Sequence, residues 1–108
     1  MTFDDHVRAA LDELPPHIAE ALQNVAVVVE DENPEDPDLL GLYHGVPLPE
    51  RGDMAGALPD RISIYGIPLE ESFPDPDELR EEIRITVLHE LGHYFGLDED
   101  RLAELGYD

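Results

Sequence analysis

The stretch ITVLHELGHYFGLDEDRL, at residues 85–102, decides how the rest of the chain is interpreted. Upstream of it, Asp75 followed by Pro76 is a pair of residue types typical of a helix N-cap and first helical position. Apolar residues then recur at helical spacing as far as Gly96, a residue type that commonly ends a helix in the left-handed conformation. The pattern therefore predicts one long helix over residues 76–95.

Two histidines and a glutamate lie on this predicted helix at the spacing of a metal site. His89 and His93 are four residues apart, so their side chains point the same way, about 40° apart around the helix axis. Two imidazoles on a rigid helix can occupy two corners of a tetrahedral zinc site. Glu90 lies about 100° further round, where its carboxylate can take a proton from a metal-bound water. We therefore expect His89 and His93 to bind zinc and Glu90 to be the catalytic base.

The other residues of this helix divide into two faces. The apolar face, expected to pack on a sheet, comprises Ile83, Val87, Leu88, Leu91, Tyr94 and Phe95. The opposite face, expected to open into a cleft, comprises Glu82, Thr86, His89 and His93. Gly92 costs roughly 1 kcal/mol relative to Ala in mid-helix, so we expect another backbone segment to approach it closely.

A third protein ligand is expected just after the helix, because Gly96 allows the chain to turn back toward the ion. Asp98, Glu99 and Asp100 all have suitable carboxylates. For Asp98 we prefer another role, as the N-cap of a short helix over residues 99–105 that ends at Gly106. His44 is a remote candidate for a further ligand, although a surface position explains it more simply. Three tyrosines are candidate hydroxyl donors that packing explains more simply: Tyr65, Tyr94 and Tyr107. His6 and His17 are expected on helix surfaces, without a role in the site.

Upstream of the long helix, the sequence predicts two short helices and three strands. The helices are expected over residues 3–14 and 16–22, and the strands over residues 25–30, 39–43 and 61–65. The acidic segment over residues 30–38 is expected to be an exposed loop, residues 45–56 to be rich in turns, and residues 66–76 to be irregular. No repeat or linker divides the sequence, so we expect a single domain over residues 1–108.

Composition limits the classes of partner and cofactor. The chain has 27 acidic and six basic residues, a formal net charge of −21, which repels nucleic acid and favours basic peptides. No stretch approaches the roughly 20 apolar residues of a membrane span, and residues 1–5 lack the features of a signal peptide. We therefore expect a cytoplasmic protein with neither nucleic-acid nor membrane partners. Because cysteine is absent, a transition metal must be held by His, Asp or Glu.

The sequence resembles the small bacterial zincin-like metallopeptidases, also called minimal metalloproteases, with their metzincin-like pattern HExxHxxGxxD/E. The specific part of the resemblance is residues 85–102, and the order and spacing of VAVVVEDE, LLGLYHGVPL and LPDRISIY support it. The resemblance implies a compact α+β zincin-like fold, in which a small mixed β-sheet packs against the active-site helix, with additional short helices. By the motif, His89 and His93 carry over as metal ligands and Glu90 as the catalytic base, while Glu99 falls at the position of the third ligand.

The sequence departs from the larger metzincins in two respects. They have His at the position of Glu99, and small relatives often have Asp. Met1 and Met54 precede the motif and nine residues follow Glu99, so we expect neither a methionine turn nor a C-terminal subdomain. Substrate is therefore expected to bind elsewhere, at an exposed sheet edge such as residues 61–65.

The sequence thus predicts a zinc-dependent metallopeptidase that hydrolyses peptide bonds through a metal-bound water activated by Glu90. Its expected partner is a peptide or protein substrate, with basic peptides favoured by charge. The alternative is a non-catalytic interaction module whose zinc site is structural or vestigial, an alternative motivated by the small size of the chain. A closed site with four protein ligands would favour the module, because catalytic zinc keeps one position for water.

Overall fold

A computed structural model describes residues 2–45 and 60–106, in which helices and a small sheet form an α+β fold, as predicted. In chain order the elements are α1 (Phe3–Asp12), α2 (Pro16–Ala21), a 3-10 turn (Leu22–Asn24), β1 (Val25–Glu30), β2 (Gly41–His44), β3 (Asp60–Tyr65), α3 (Gly66–Ser72), α4 (Pro76–Tyr94) and α5 (Glu99–Glu104). Within these two ranges, no helix combines the length and the apolar character that crossing a bilayer requires. Most of the turn-rich stretch predicted at residues 45–56 lies outside the described residues.

The sheet has three strands in the order β1–β3–β2. β1 runs parallel to β3, from the pair Val25 and Asp60 to the pair Glu30 and Tyr65, and β2 runs antiparallel to β3 on its other side. Because β3 has a neighbour on both sides, the prediction of an exposed sheet edge at residues 61–65 was wrong. The outer strands of this sheet are β1 and β2.

The core lies between the sheet, α4 and α1. The buried face of α4 includes the predicted apolar residues Ile83, Val87, Leu88, Leu91 and Tyr94. Phe95, predicted on the same face, is instead 41 % exposed, because it follows the last helical residue and lies in the turn. Asp75 caps the N-terminus of α4 as predicted, since its carboxylate accepts a hydrogen bond from the Glu78 N–H at 3.0 Å.

Two local predictions upstream of α4 were wrong. Residues 66–72 form α3 rather than an irregular segment. Pro68 lies in the first turn of α3, where backbone N–H groups have no intrahelical partner, so proline removes no helical hydrogen bond there. His6 was expected at the surface but is only 7 % exposed, because it lies on the side of α1 that is buried with Val7 and Ala10.

A tight turn after α4 brings α5 back against it. Gly96 has a φ of 87°, in the left-handed region, as predicted for the helix end. The Gly96 N–H donates to the His93 carbonyl and the Leu97 N–H to the Gly92 carbonyl, both at 2.9 Å, which is the Schellman pattern of a helix C-terminus. The reversal places α5 beside the histidine-bearing end of α4.

Candidate metal centre

The imidazoles of His89 and His93 lie side by side near the C-terminal end of α4. Their ring centroids are 5.0 Å apart and the ring planes are inclined by 76°. With Glu90, the two histidines offer one ligand atom each, and these atoms all lie within 4.8 Å of one another. The helical spacing therefore brings the three predicted side chains together at a distance that suits a single cation.

The turn after α4 also orients one of the two rings. Nδ1 of His93 lies 3.1 Å from the carbonyl oxygen of Leu97. Because a carbonyl can only accept, Nδ1–H donates this hydrogen bond and Nε2 is left to face the site. The reversal at Gly96 thus ends the helix and sets the orientation of His93 as well.

The carboxylate of Glu99 faces both imidazoles. Its Oε1 lies 2.9 Å from Nε2 of His93, and its Oε2 lies 3.2 Å from Nε2 of His89. The Glu99 side chain is 69 % exposed, so it approaches the two rings from the solvent side. The structure therefore brings all four predicted site residues, including Glu90, to one end of α4.

The other ligand candidates have different positions. Asp98 caps α5, because its carboxylate accepts a hydrogen bond from the Arg101 N–H at 2.9 Å, which confirms the role preferred from the sequence. Asp100 is exposed on α5. His44 lies in β2, with Nε2 3.1 Å from the Ser63 hydroxyl of β3. Among these candidates, it is Glu99 whose carboxylate contacts the histidines.

A contact between α4 and α5 holds Glu99 in this place. Leu102 is fully buried, and it packs so closely on Gly92 that a Cβ there would overlap its Cδ2. The close approach at Gly92 is therefore made by a side chain of α5, and the predicted approach of a backbone segment was wrong. Leu102 and Glu99 are three residues apart on one helix, so they lie on the same side of α5. Packing at Gly92 consequently positions the helix that carries Glu99 beside the histidines.

Glu90 is nearly buried and is held by the sheet. Its residue is 8 % exposed, and its Oε1 accepts a hydrogen bond from the Tyr43 N–H of β2 at 2.9 Å. Its Oε2 lies 3.9 Å from Nε2 of His89. Burial raises the pKa of Glu90 above its ordinary value, although the charges of His89 and His93 and the Tyr43 N–H act in the opposite direction. A carboxylate whose burial strengthens proton binding is suited to general base catalysis.

Sequence reasoning did not find the Tyr43 N–H. A backbone amide has no signal in residue type, and only the packing of β2 beside α4 brings it to Glu90. Two tyrosines considered as hydroxyl donors, Tyr65 and Tyr94, are buried in the interior. The third, Tyr107, lies outside the described residues.

A cleft of about 300 Å³ extends from His89 and Glu90 along α4. The predicted cleft face of α4 contributes Glu82, Thr86 and His89 to its lining. The opposite wall is formed by the end of the acidic loop and the start of β2, at residues 36–41. The sequence predicted the exposed loop over residues 30–38 but contained no signal that the end of this loop borders the site, and the strand predicted from Leu39 begins at Gly41.

The chemistry of the donor atoms fits a divalent metal ion. Imidazole nitrogen and carboxylate oxygen are ligands of zinc and of other first-row divalent metals. The hydrogen bond from Nδ1 of His93 to a carbonyl is the outer-shell arrangement typical of metal-ligating histidines. His89, Glu90 and His93 thus form a group that could hold a metal ion.

The chain was compared with curated proteins and with models of protein families. No curated protein matches the chain significantly. A family model described as zincin-like metallopeptidase matches residues 22–107, a range that includes the whole sheet, α4 and α5. Because the match covers most of the chain and all four predicted site residues, the chain belongs to the zincin-like metallopeptidase family.

Proposed function

We propose that this chain is a zinc-dependent peptidase in which His89, His93 and Glu99 hold the ion and Glu90 is the general base. The observation that carries the proposal is the nearly buried Glu90 carboxylate, held by the Tyr43 N–H beside two imidazoles. A carboxylate with a raised pKa next to a possible metal site is typical of a catalytic group. Zinc held there would polarise the substrate carbonyl and lower the pKa of the attacking water.

The two oxygens of Glu90 have separate roles in this proposal. Oε1 is occupied by the Tyr43 N–H, which restricts rotation of the carboxylate. Oε2, the oxygen beside His89, accepts the proton of the attacking water. Glu90 then transfers this proton to the leaving amine, so one carboxylate acts as base and afterwards as acid.

We place the peptide substrate along the outer edge of β2. The Leu40 carbonyl accepts a hydrogen bond from the Tyr65 N–H on the β3 side at 3.0 Å, whereas the Tyr43 N–H turns toward Glu90. Because the backbone groups of successive residues in a strand point to opposite sides, those of Gly41 point away from β3. An extended peptide can pair with them at this outer edge. The edge of β2 replaces the edge first expected on β3.

Glu90→Gln tests the catalytic assignment. Gln keeps an oxygen for the Tyr43 N–H but cannot accept a proton, so kcat/KM on a peptide library should fall by at least about 100-fold. Elemental analysis should show undiminished zinc in this variant, whereas His93→Ala should lose zinc. Substantial hydrolysis by zinc-loaded Glu90→Gln would show that Glu90 is not the base.

A second candidate is a binding module with a structural zinc ion. The observation that favours it is that two carboxylates, Glu90 and Glu99, both lie beside the histidines, so four protein ligands could close a tetrahedral site. A crystal structure of the zinc-loaded protein distinguishes the candidates, because it shows whether the fourth ligand is water or Glu90. Three protein ligands and one water support the peptidase, and four protein ligands support the module.

A further inference from the structure

We propose that the cleft beside the candidate metal centre binds an arginine or lysine side chain of the substrate, close to the scissile bond. The inference rests on the proposed peptidase function. His89 and the nearly buried Glu90 form part of the cleft wall. A substrate side chain in the cleft therefore belongs to a residue near the carbonyl that reacts.

The lining of the cleft has an apolar part and an acidic part. The apolar part consists of half-buried aliphatic side chains, Leu39, Leu40 and Ile85. The acidic part consists of three carboxylates, Asp36, Asp38 and Glu82. The acidic residues come from both walls, so a group that enters the cleft lies between them.

The loop that supplies two of these carboxylates is tied to the central strand. Asn33 Oδ1 accepts hydrogen bonds from the N–H groups of Glu35 and Asp36, at 2.8 and 3.1 Å. Asn33 Nδ2 donates to the hydroxyl of Tyr65 in β3 at 3.1 Å. These hydrogen bonds hold the loop backbone that carries Asp36 in place without substrate, which lowers the entropic cost of binding.

The carboxylates of the cleft lack an arginine partner within residues 2–45 and 60–106. The arginine ion pairs described there involve Asp77, Glu81 and Glu104. A cleft lined by charge of one sign concentrates its field and attracts the opposite charge. The cleft therefore offers a cation a favourable place between its two walls.

Arginine and lysine match both parts of this lining. Their aliphatic stems can pack on the apolar residues while the cationic head reaches the carboxylates. An aliphatic side chain would leave the carboxylates without a counter-charge, and an acidic one would be repelled. Charge and shape thus favour a basic residue over the alternatives.

The test uses the zinc-loaded protein and fluorogenic peptides that carry Arg, Lys, citrulline or Glu in turn at each position around the scissile bond. Citrulline has the shape of arginine without its charge. At one position we expect kcat/KM to be about 10-fold higher for Arg than for citrulline. Added salt should reduce this preference, and Glu82→Gln should largely remove it. Glu78→Gln is the matched control, because it makes the same charge change on the same helix outside the cleft lining.

Affinities of the same peptides for zinc-loaded Glu90→Gln separate the two proposals. Hydrolysis without any preference for Arg over citrulline would overturn the cleft inference and leave the peptidase standing. If no peptide is hydrolysed, the peptidase proposal fails, and the affinities of the peptides then test whether the cleft binds a basic side chain. Tighter binding of Arg peptides that Glu82→Gln abolishes and Glu78→Gln retains would support the cleft, and equal affinities would overturn it.

Discussion

At the scale of single residues, the neighbours Asp98 and Glu99 have different roles, as a helix cap and as a candidate metal ligand, and two substitutions can distinguish them. Glu99→Ala removes the carboxylate that contacts both imidazoles. We expect zinc affinity to fall by more than the about 10- to 100-fold typical of outer-shell changes. Asp98→Asn keeps an effective N-cap on α5 but removes the charged carboxylate, so zinc affinity should stay within a few-fold of wild type. Competition with a chromophoric chelator measures both affinities, and the reverse ranking would show that Asp98 is the ligand.

His44 gives a pH dependence of stability with a defined sign. Burial lowers the pKa of His44 below its ordinary value, the Arg61 charge lowers it further, and Glu30 acts in the opposite direction. The native state therefore favours the neutral ring, while the unfolded chain binds a proton near pH 6.5. The stability due to His44 is fully present above that pH and is lost as the pH falls from there toward the lowered folded pKa.

His44→Gln isolates this contribution, because Gln can hydrogen-bond to Ser63 but does not titrate. Urea unfolding of the metal-free proteins between pH 7.5 and 5.5 should show a steeper loss of unfolding free energy for wild type than for the variant. His6, His17, His89 and His93 are common to both proteins and cancel in the comparison. Parallel pH profiles would contradict the prediction.

At the scale of elements, the packing of α5 on α4 predicts the effect of a methyl group at Gly92. In Gly92→Ala the new Cβ overlaps Cδ2 of Leu102, which is fully buried and has little room to rotate, so we expect α5 to shift and to carry Glu99 away from the histidines. Overpacking costs about 1–3 kcal/mol, partly offset by the roughly 1 kcal/mol that Ala gains over Gly in a helix. We expect zinc affinity to fall about 10- to 100-fold, measured by chelator competition.

A second substitution tests whether this loss arises at the contact. Leu102→Val withdraws the overlapping atom, so Gly92→Ala combined with Leu102→Val should regain much of the zinc affinity. The cobalt-substituted proteins provide a second measurement, since the d–d spectrum reports a change in ligand geometry that a loss of stability alone does not produce. Wild-type affinity in Gly92→Ala would show that the contact does not position Glu99.

Most elements were predictable because their signals are local. The bounds of α4 were predicted to within one residue, from the helical spacing of its apolar residues and from Asp75, Pro76 and Gly96 at its ends. α3 was missed because Gly66 and Pro68 read as breaking residues, although proline in the first turn is compatible with a helix. The central position of β3 was not predictable, because strand order depends on pairing between distant segments.

At the scale of the whole molecule, the net charge of −21 predicts stabilisation by salt. Repulsion among the acidic side chains destabilises the compact state, and salt screens it over about 8 Å at physiological strength. If screening recovers about 1 kcal/mol, Tm should rise by about 4–8 °C between low and physiological salt. Thermal unfolding of the metal-free protein in a chelator measures this shift. Sodium and choline chloride at equal ionic strength should act alike, and a Tm that falls with salt would contradict the prediction.

The sequence by itself determined which residues of α4 meet at the candidate metal centre. His89, Glu90 and His93 lie within one helical turn, so the geometry of the helix alone brings them together. Tertiary structure alone decided what surrounds them: the Tyr43 N–H on Glu90, Leu102 against Gly92, and the acidic loop across the cleft. Tyr43 and the acidic loop are far from α4 in the chain, and Leu102 reaches Gly92 because the chain turns back at Gly96, so packing rather than helical spacing decides which of these contacts form.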